Sequence, residues 1–216
     1  MLFVELALIR WLAANVLYLS YFSNVVLLGS FLGIGLGFLL AKRTDVQIYP
    51  FAPVALAALV ALVHFVPVTV TATGGDLIFF GTELKPAGPP RELALPAVFL
   101  AVAGVLACIG NGVAHTFRRM ANLDAYRLDL VGSLIGIIGF ALLSYVGAPP
   151  IVWGIIVSVV FVLTLWPRSL RSVILLAVPV LVLLTTWGIE STQTNVLWTP
   201  YYKATYERND QGVGVL

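Results

Sequence analysis

Apolar residues occur along this chain in seven long runs, which are separated by short stretches of charged residues, prolines and glycines. Each run is close to the roughly 20 residues that an α-helix needs to cross a bilayer. Because lipid offers no hydrogen-bond partners to unpaired backbone groups, each run is predicted to be helical. The predicted spans are residues 2–21, 25–41, 51–70, 93–114, 128–146, 149–166 and 172–187.

The pattern changes near residue 188. Residues 189–216 are more polar, and short alternating runs on either side of a turn at 209–212 predict a β-hairpin. We therefore expect a polytopic helical domain at 1–188, followed at 189–216 by the start of a soluble domain in a polypeptide that continues past Leu216. The expected fold class is an all-α integral membrane protein with about seven transmembrane helices and a short β-hairpin tail.

Composition supports a multi-pass protein of the cell membrane. Hydrophobic residues make up 60% of the chain and charged residues 10%, against about 25% charged residues in soluble domains. The lipid bilayer is thus its first expected partner, and a net charge of +2 gives no reason to expect nucleic acid. Seven basic residues fall in the loops of one side, which predicts a cytoplasmic N-terminus by the positive-inside rule. They are Lys42, Arg43, Arg118, Arg119, Arg127, Arg168 and Arg171.

Small residues four positions apart predict two faces for close helix packing. Gly29 and Gly33 form one such pair in the second run, and Gly132 and Gly136 form another in the fifth. The glycines of the second run do not form a nucleotide loop, because no strand precedes them and their surroundings are apolar. The five tryptophans fall mostly near span ends, where interfacial aromatic residues are expected.

Ionisable and polar residues within the apolar runs are candidate path or pairing residues, since such groups are costly in lipid without partners. The candidates are Glu5, Arg10, Asn15, His64, Arg127 and Asp129. One hypothesis pairs Arg10 with Asp129. Simpler interpretations stay open: Glu5 near a wet helix end, His64 as a structural residue, and Arg127 with Asp129 at the water interface.

The sequence contains no motif that makes an active site by itself. It has no metal-ligand cluster, no nucleophile with a base and no phosphate loop between a strand and a helix. No catalytic, metal or cofactor-binding residue is therefore predicted, and the single cysteine, Cys108, reads as a small buried hydrophobe.

Four segments resemble the membrane-anchored spermidine synthase-like family, in which a multi-span region precedes an aminopropyltransferase-type domain. They are Glu-x-x-x-x-Arg at 5–10, the glycine run at 28–37, Tyr-Arg-Leu-Asp-Leu-Val-Gly-Ser at 126–133, and Trp-Thr-Pro-Tyr-Tyr-Lys at 198–203. The last segment, with Trp198, Pro200, Tyr201 and Tyr202, is similar to the opening of the family's soluble domain. The resemblance implies that decarboxylated S-adenosylmethionine and a polyamine bind in that domain, whose cofactor loop and catalytic acids are not among these residues.

The resemblance predicts that this chain anchors or feeds such a domain and has no transferase activity alone. The alternatives are a stand-alone transporter of a polyamine or other small solute, and a purely structural bundle. Seven crossings would place residue 192 onward outside, whereas an enzyme that uses an S-adenosyl donor is expected in the cytoplasm. A re-entrant third segment, a seventh segment interrupted by Pro179, or an external domain of another activity would each resolve this conflict.

Overall fold

The computed structural model describes residues 1–16, 19, 24–65, 69–70, 86–87, 90–166, 170–192, 196–200, 203–205, 207–208 and 214–215. These residues are predominantly helical. A 3₁₀ turn at Tyr49–Phe51 leads into the third helix. The helices are α1 (Leu2–Asn15), α2 (Asn24–Arg43), α3 (Ala52–Phe65), α4 (Arg91–Phe117), α5 (Asn122–Tyr145), α6 (Pro150–Thr164) and α7 (Leu170–Ser191).

Within the part of the chain that the structure describes, six very short strands form three antiparallel pairs. The pairs are β1 (Thr69–Val70) with β2 (Pro86–Ala87), β3 (Val196–Trp198) with β4 (Lys203–Thr205), and β5 (Glu207–Arg208) with β6 (Gly214–Val215). The predicted span 51–70 is too long, because its helix ends at Phe65 and Val70 belongs to a strand. The identity of the residues after 189 as the opening of a soluble domain stays a prediction.

Among the described residues, three helices are long and apolar enough to cross a membrane: Asn24–Arg43, Glu92–Phe117 and Asn122–Tyr145. These helices support a membrane protein. Three further apolar segments are shorter, at Tyr49–Phe65, Pro150–Thr164 and Leu176–Ser191. Helix α1 has 14 residues and rises about 21 Å, less than the roughly 30 Å of a hydrocarbon core. The predicted number of seven crossings is therefore not established by helix length.

Helices α2 and α4 form the most extensive contact of the bundle. Gly33 and Gly37 lie directly against the α4 backbone. A Cβ atom at Gly33 would stand 2.3 Å from the Ala103 carbonyl oxygen, and one at Gly37 would stand 2.4 Å from that of Ala107. Gly29 is also close, at 3.0 Å from the Phe99 carbonyl oxygen. Only glycine permits this approach, so the small residues of α2 set the distance between the two helices.

Helix α1 packs on α2, α5 and α6, and its Leu8, Trp11 and Leu12 are buried in the main apolar core. Helix α3 packs on α4 and α7, and α6 packs on α7. Helix α5 contacts mainly α1, and most of its surface is exposed. A Cβ atom at Gly132 would meet no atom within 4 Å, so the predicted packing face at Gly132 has no partner in the described part of this chain.

Candidate functional site

Polar side chains from distant parts of the sequence meet where α1 and α7 end. We call Arg10, Trp11, Asn15, Glu190 and Lys203 the tail-anchoring cluster. Lys203 Nζ donates to Glu190 Oε1 at 2.7 Å and to Asn15 Oδ1 at 2.9 Å. Trp11 Nε1 donates to the other oxygen, Glu190 Oε2, at 2.6 Å. The carboxylate thus holds helix α1 and strand β4 against the end of α7.

The ion pair in this cluster is nearly inaccessible to water. The side chains of Lys203 and Glu190 are 13% and 7% exposed. Taking two charges out of water is costly, and additional hydrogen bonds are needed to offset that cost. Asn15 and Trp11 provide them, and Asn15 is itself held by a 2.9 Å bond from its Nδ2 to the Trp11 carbonyl. We infer that removing either charge would leave the other buried and uncompensated.

Arg10 extends the contact to the residues beyond β3. Its Nη2 donates to the Thr199 carbonyl oxygen. Its guanidinium carbon also lies 5.4 Å from the Trp153 ring centroid and 5.7 Å from that of Trp198, within the range of cation–π attraction. Among the described residues, its Nε and Nη1 atoms have no hydrogen-bond partner. Aromatic faces therefore supply much of the environment of this partly buried cation.

Four of the five tryptophans are buried around this contact, and their predicted interfacial positions stay a prediction. Trp11, Trp153 and Trp187 are at most 2% exposed, and Trp198 is 7% exposed. The rings of Trp153 and Trp198 lie 5.4 Å apart, and those of Trp11 and Trp187 lie 5.8 Å apart. Trp166 alone is largely exposed. Trp198 thereby anchors strand β3 in the helical core.

The end of α5 also contacts the segment after β3. Ser144 Oγ donates to the Pro200 carbonyl at 3.1 Å. Gly147 has a φ of +71°, and a Cβ atom there would stand 2.6 Å from the Trp198 carbonyl oxygen. Both the left-handed backbone and the close approach require glycine at this turn. The polar tail is therefore held from three helices, α1, α5 and α7.

A second polar group lies at the opposite end of the bundle. Asn111 of α4 is fully buried; it accepts from the Ile48 amide at 2.9 Å and donates to the Val46 carbonyl at 3.3 Å. Arg118 donates to the Ala41 carbonyl and pairs with Asp45 at 3.2 Å. These bonds fix the loop between α2 and the 3₁₀ turn onto α4.

The candidate residues from the sequence divide between these places. Arg10 and Asn15 belong to the tail-anchoring cluster. Glu5 is 3% exposed in α1, and its Oε2 has no hydrogen-bond partner among the described residues. His64 lies edge-on to the ring of Phe65 in α3, 5.3 Å between centroids. The described contacts join only two of these four side chains in one cluster, and a path along all four stays a prediction.

Arg127 and Asp129 lie in the second turn of α5. Arg127 is 3.9 Å from Asp124 one turn earlier, and both side chains are exposed. Asp129 is exposed as well, and the hypothesis that it pairs with Arg10 is wrong, because Arg10 reaches Thr199 instead. The predicted tail residues Trp198 and Pro200 are placed as described above. Tyr201 and Tyr202 lie outside the described residues.

Sequence reasoning did not identify Trp11, Glu190 or Lys203. Glu190 carried a usable signal, since it is an acid in the last turn of an apolar helix, where an ionisable residue is expected to have a partner. Within the residues that the structure describes, no group of three His, Cys, Asp or Glu could hold a metal ion. The arrangement of the cluster suits attachment of a segment rather than chemistry on a substrate.

Comparisons of the chain with protein-family models, with curated proteins and with solved structures gave no match.

Proposed function

We propose that this chain is a membrane anchor that holds the segment after its last helix in a fixed position, and so positions a soluble domain that follows. The observation that carries the proposal is the Lys203–Glu190 pair, 2.7 Å apart and largely withdrawn from water. One partner ends the helical bundle and the other begins strand β4. A flexible tether would need no such bond.

The likeness to the spermidine synthase-like family supports an aminopropyltransferase-type domain as the anchored unit. In this proposal that domain binds decarboxylated S-adenosylmethionine and a polyamine, and this chain contributes no catalytic residue. Incubation of the chain with a polyamine and the aminopropyl donor should give no product. Formation of product would contradict the assignment of the chemistry to the attached domain.

For the topology, we propose seven crossings with a cytoplasmic N-terminus. The basic residues Lys42, Arg43 and Arg118 fall at one end of α2 and α4, whereas the tail-anchoring cluster lies where α1 and α7 end. Seven crossings place β3 and β4 on the side opposite the N-terminus, so the domain that follows would be external and would need its aminopropyl donor there. A re-entrant third segment would instead keep that domain in the cytoplasm. Reporters that are active on only one side of the membrane, fused after Leu216, would test it. Activity on the cytoplasmic side would contradict seven crossings.

The anchor itself is tested by hydrogen exchange of the Lys203–Thr205 amides in the detergent-solubilised chain. Breaking a buried pair costs about 3–5 kcal/mol, so Glu190→Gln should speed this exchange about 100-fold or more. Lys203→Met should do the same, and the double variant should exchange no faster than either single one. Thr185→Val is a matched control, because Thr185 is bonded only to α7 carbonyls. Unchanged exchange in both single variants would refute the anchor.

The alternative is a stand-alone transporter of a polyamine or other small solute, which Glu5 favours as a buried carboxylate with an unpartnered oxygen. Uptake of a labelled polyamine by vesicles that contain the chain tests this alternative, with Glu5→Gln and Asp129→Asn as variants. The anchor proposal predicts no uptake. Uptake that either substitution abolishes would favour the transporter.

A further inference from the structure

An apolar groove runs along the inner side of α5. Its cavity has a volume of about 790 Å³, within the range of about 300–1,000 Å³ that ligand pockets occupy. Gly132, Gly136 and Gly139 line one wall, and Val160 and Phe161 of α6 line the other. The groove exists because α5 packs mainly on α1 and stands away from α4 and α6.

The groove has the length and depth of an acyl-chain site. From Gly132 to Val146 the wall rises about 21 Å, more than half of a hydrocarbon core of roughly 30 Å. A Cβ atom at Gly132 or Gly139 would meet nothing within 4 Å, so this wall is not filled by another part of the described chain. A linear apolar chain that lies parallel to α5 matches this shape.

One end of the groove adjoins a second cavity of about 510 Å³, whose lining is also mainly apolar but more polar than that of the groove. Tyr49, Val113 and Thr164 line both cavities, and the Tyr49 hydroxyl is 2.6 Å from Thr164 Oγ1 at their boundary. The second cavity is also lined by His115 and Arg119. We call this second cavity the basic chamber, because Arg119 lines it. The apolar groove and the basic chamber therefore share a wall at the end of α4 and α6.

Arg119 is the residue that favours a negatively charged group in the basic chamber. It lies between α4, which ends at Phe117, and α5, which begins at Asn122, and so at the depth of lipid headgroups. Its neighbour Arg118 is paired with Asp45, whereas Arg119 has no ion-pair partner within the part of the chain that the structure describes. A guanidinium group is well suited to bind phosphate, through up to five N–H donors.

We propose that this groove and chamber form one site for an anionic phospholipid, with an acyl chain between α5 and α6 and the phosphate at Arg119. A transmembrane helix of a second copy would fill the groove but would leave the basic chamber without an anion. The proposal needs only a membrane location and is independent of the anchor function.

The test is lipid retention by the purified full chain, measured by native mass spectrometry after incubation with phosphatidylglycerol or phosphatidylcholine. The wild type should retain one phosphatidylglycerol in preference to phosphatidylcholine. Gly139→Leu places a side chain in the groove and should abolish retention of both lipids. Gly104→Leu is its matched control, because Gly104 also has open space around it but does not line the groove.

The headgroup is tested separately with Arg119→Gln. This variant should still retain lipid but lose about fivefold in its preference for phosphatidylglycerol, the contribution of one basic residue near an anionic surface. Arg43→Gln, which removes a charge from the end of α2 outside both cavities, should keep the preference.

Equal retention by Gly139→Leu and the wild type would overturn the site. A wild-type dimer that Gly139→Leu converts to a monomer would instead assign the groove to a second copy, and an Arg119→Gln preference equal to that of the wild type would overturn the headgroup assignment.

Discussion

Helices α2 and α5 both carry glycines four residues apart, yet only in α2 do both members of the pair pack closely against another helix. In α2, Gly33 lies so close to Ala103 that a methyl group would overlap the α4 backbone. In α5, Gly132 faces open space, and Gly136 approaches only the start of α1, with Phe3 N at 3.3 Å. The spacing indicates a face that permits close approach, and a partner of the right shape decides whether the approach occurs.

The largest effect is expected where the contact is tightest. Gly33→Leu should separate α2 from α4 and lower the free energy of unfolding by at least about 3 kcal/mol, since overpacking against backbone cannot relax by a rotamer change. Reversible unfolding in mixed micelles measures the loss. Gly35→Leu is the matched control, because Gly35 has no neighbour within 4 Å and should tolerate the change. Similar losses in the two variants would remove the distinction on which the comparison rests.

A smaller loss is expected when the polar support of the same helix pair is removed. Asn111→Leu deletes the bonds to Ile48 and Val46. It leaves the Ile48 amide without its partner, and the Val46 carbonyl keeps only its 3.3 Å contact with His115 Nε2. The free energy of unfolding should fall by about 1–3 kcal/mol. Asn122→Leu, at the exposed start of α5, provides the control. If Asn111→Leu were neutral, glycine contacts alone would hold α2 on α4.

Gly136→Ala should give an effect of at most about 1 kcal/mol, because its new Cβ atom would sit 3.3 Å from Phe3 N and require a shift of a few tenths of an ångström. The same unfolding assay measures it. A loss as large as that of Gly33→Leu would show that α5 depends on its glycine contact with α1 as strongly as α2 depends on α4.

The smallest effect is expected at Gly139. An alanine there meets no atom within 4 Å, so the free energy of unfolding should change by less than about 0.5 kcal/mol. The measurement should be repeated in phosphatidylglycerol micelles and in neutral detergent. A loss confined to the anionic lipid would sharpen the comparison, since it would identify the lipid as the partner that α5 lacks within this chain.

The hydrophobic pattern of the sequence was sufficient to locate each helix, because the cost of exposing apolar groups to water or backbone groups to lipid depends on each segment alone. All seven predicted segments contain a helix over most of their length. The main boundary errors are the end of the third, where Phe65 ends the helix and Thr69 begins a strand, and the start of the fifth, whose helix begins at Asn122. The pattern also indicated that Arg10 and Asn15 would need partners, but not which ones.

Only the tertiary structure decided those partners. Arg10 meets Thr199, and Lys203 meets Asn15 and Glu190, across separations along the chain that no local pattern encodes. The tryptophans illustrate the same limit, since an amphipathic ring is stable both at a membrane interface and in a core that offers it aromatic and cationic neighbours. The sequence by itself determined where helices form and which faces permit close contact. The packing of distant segments determined that α2 is met by α4, that α5 borders a groove, and that the tail is anchored at Glu190.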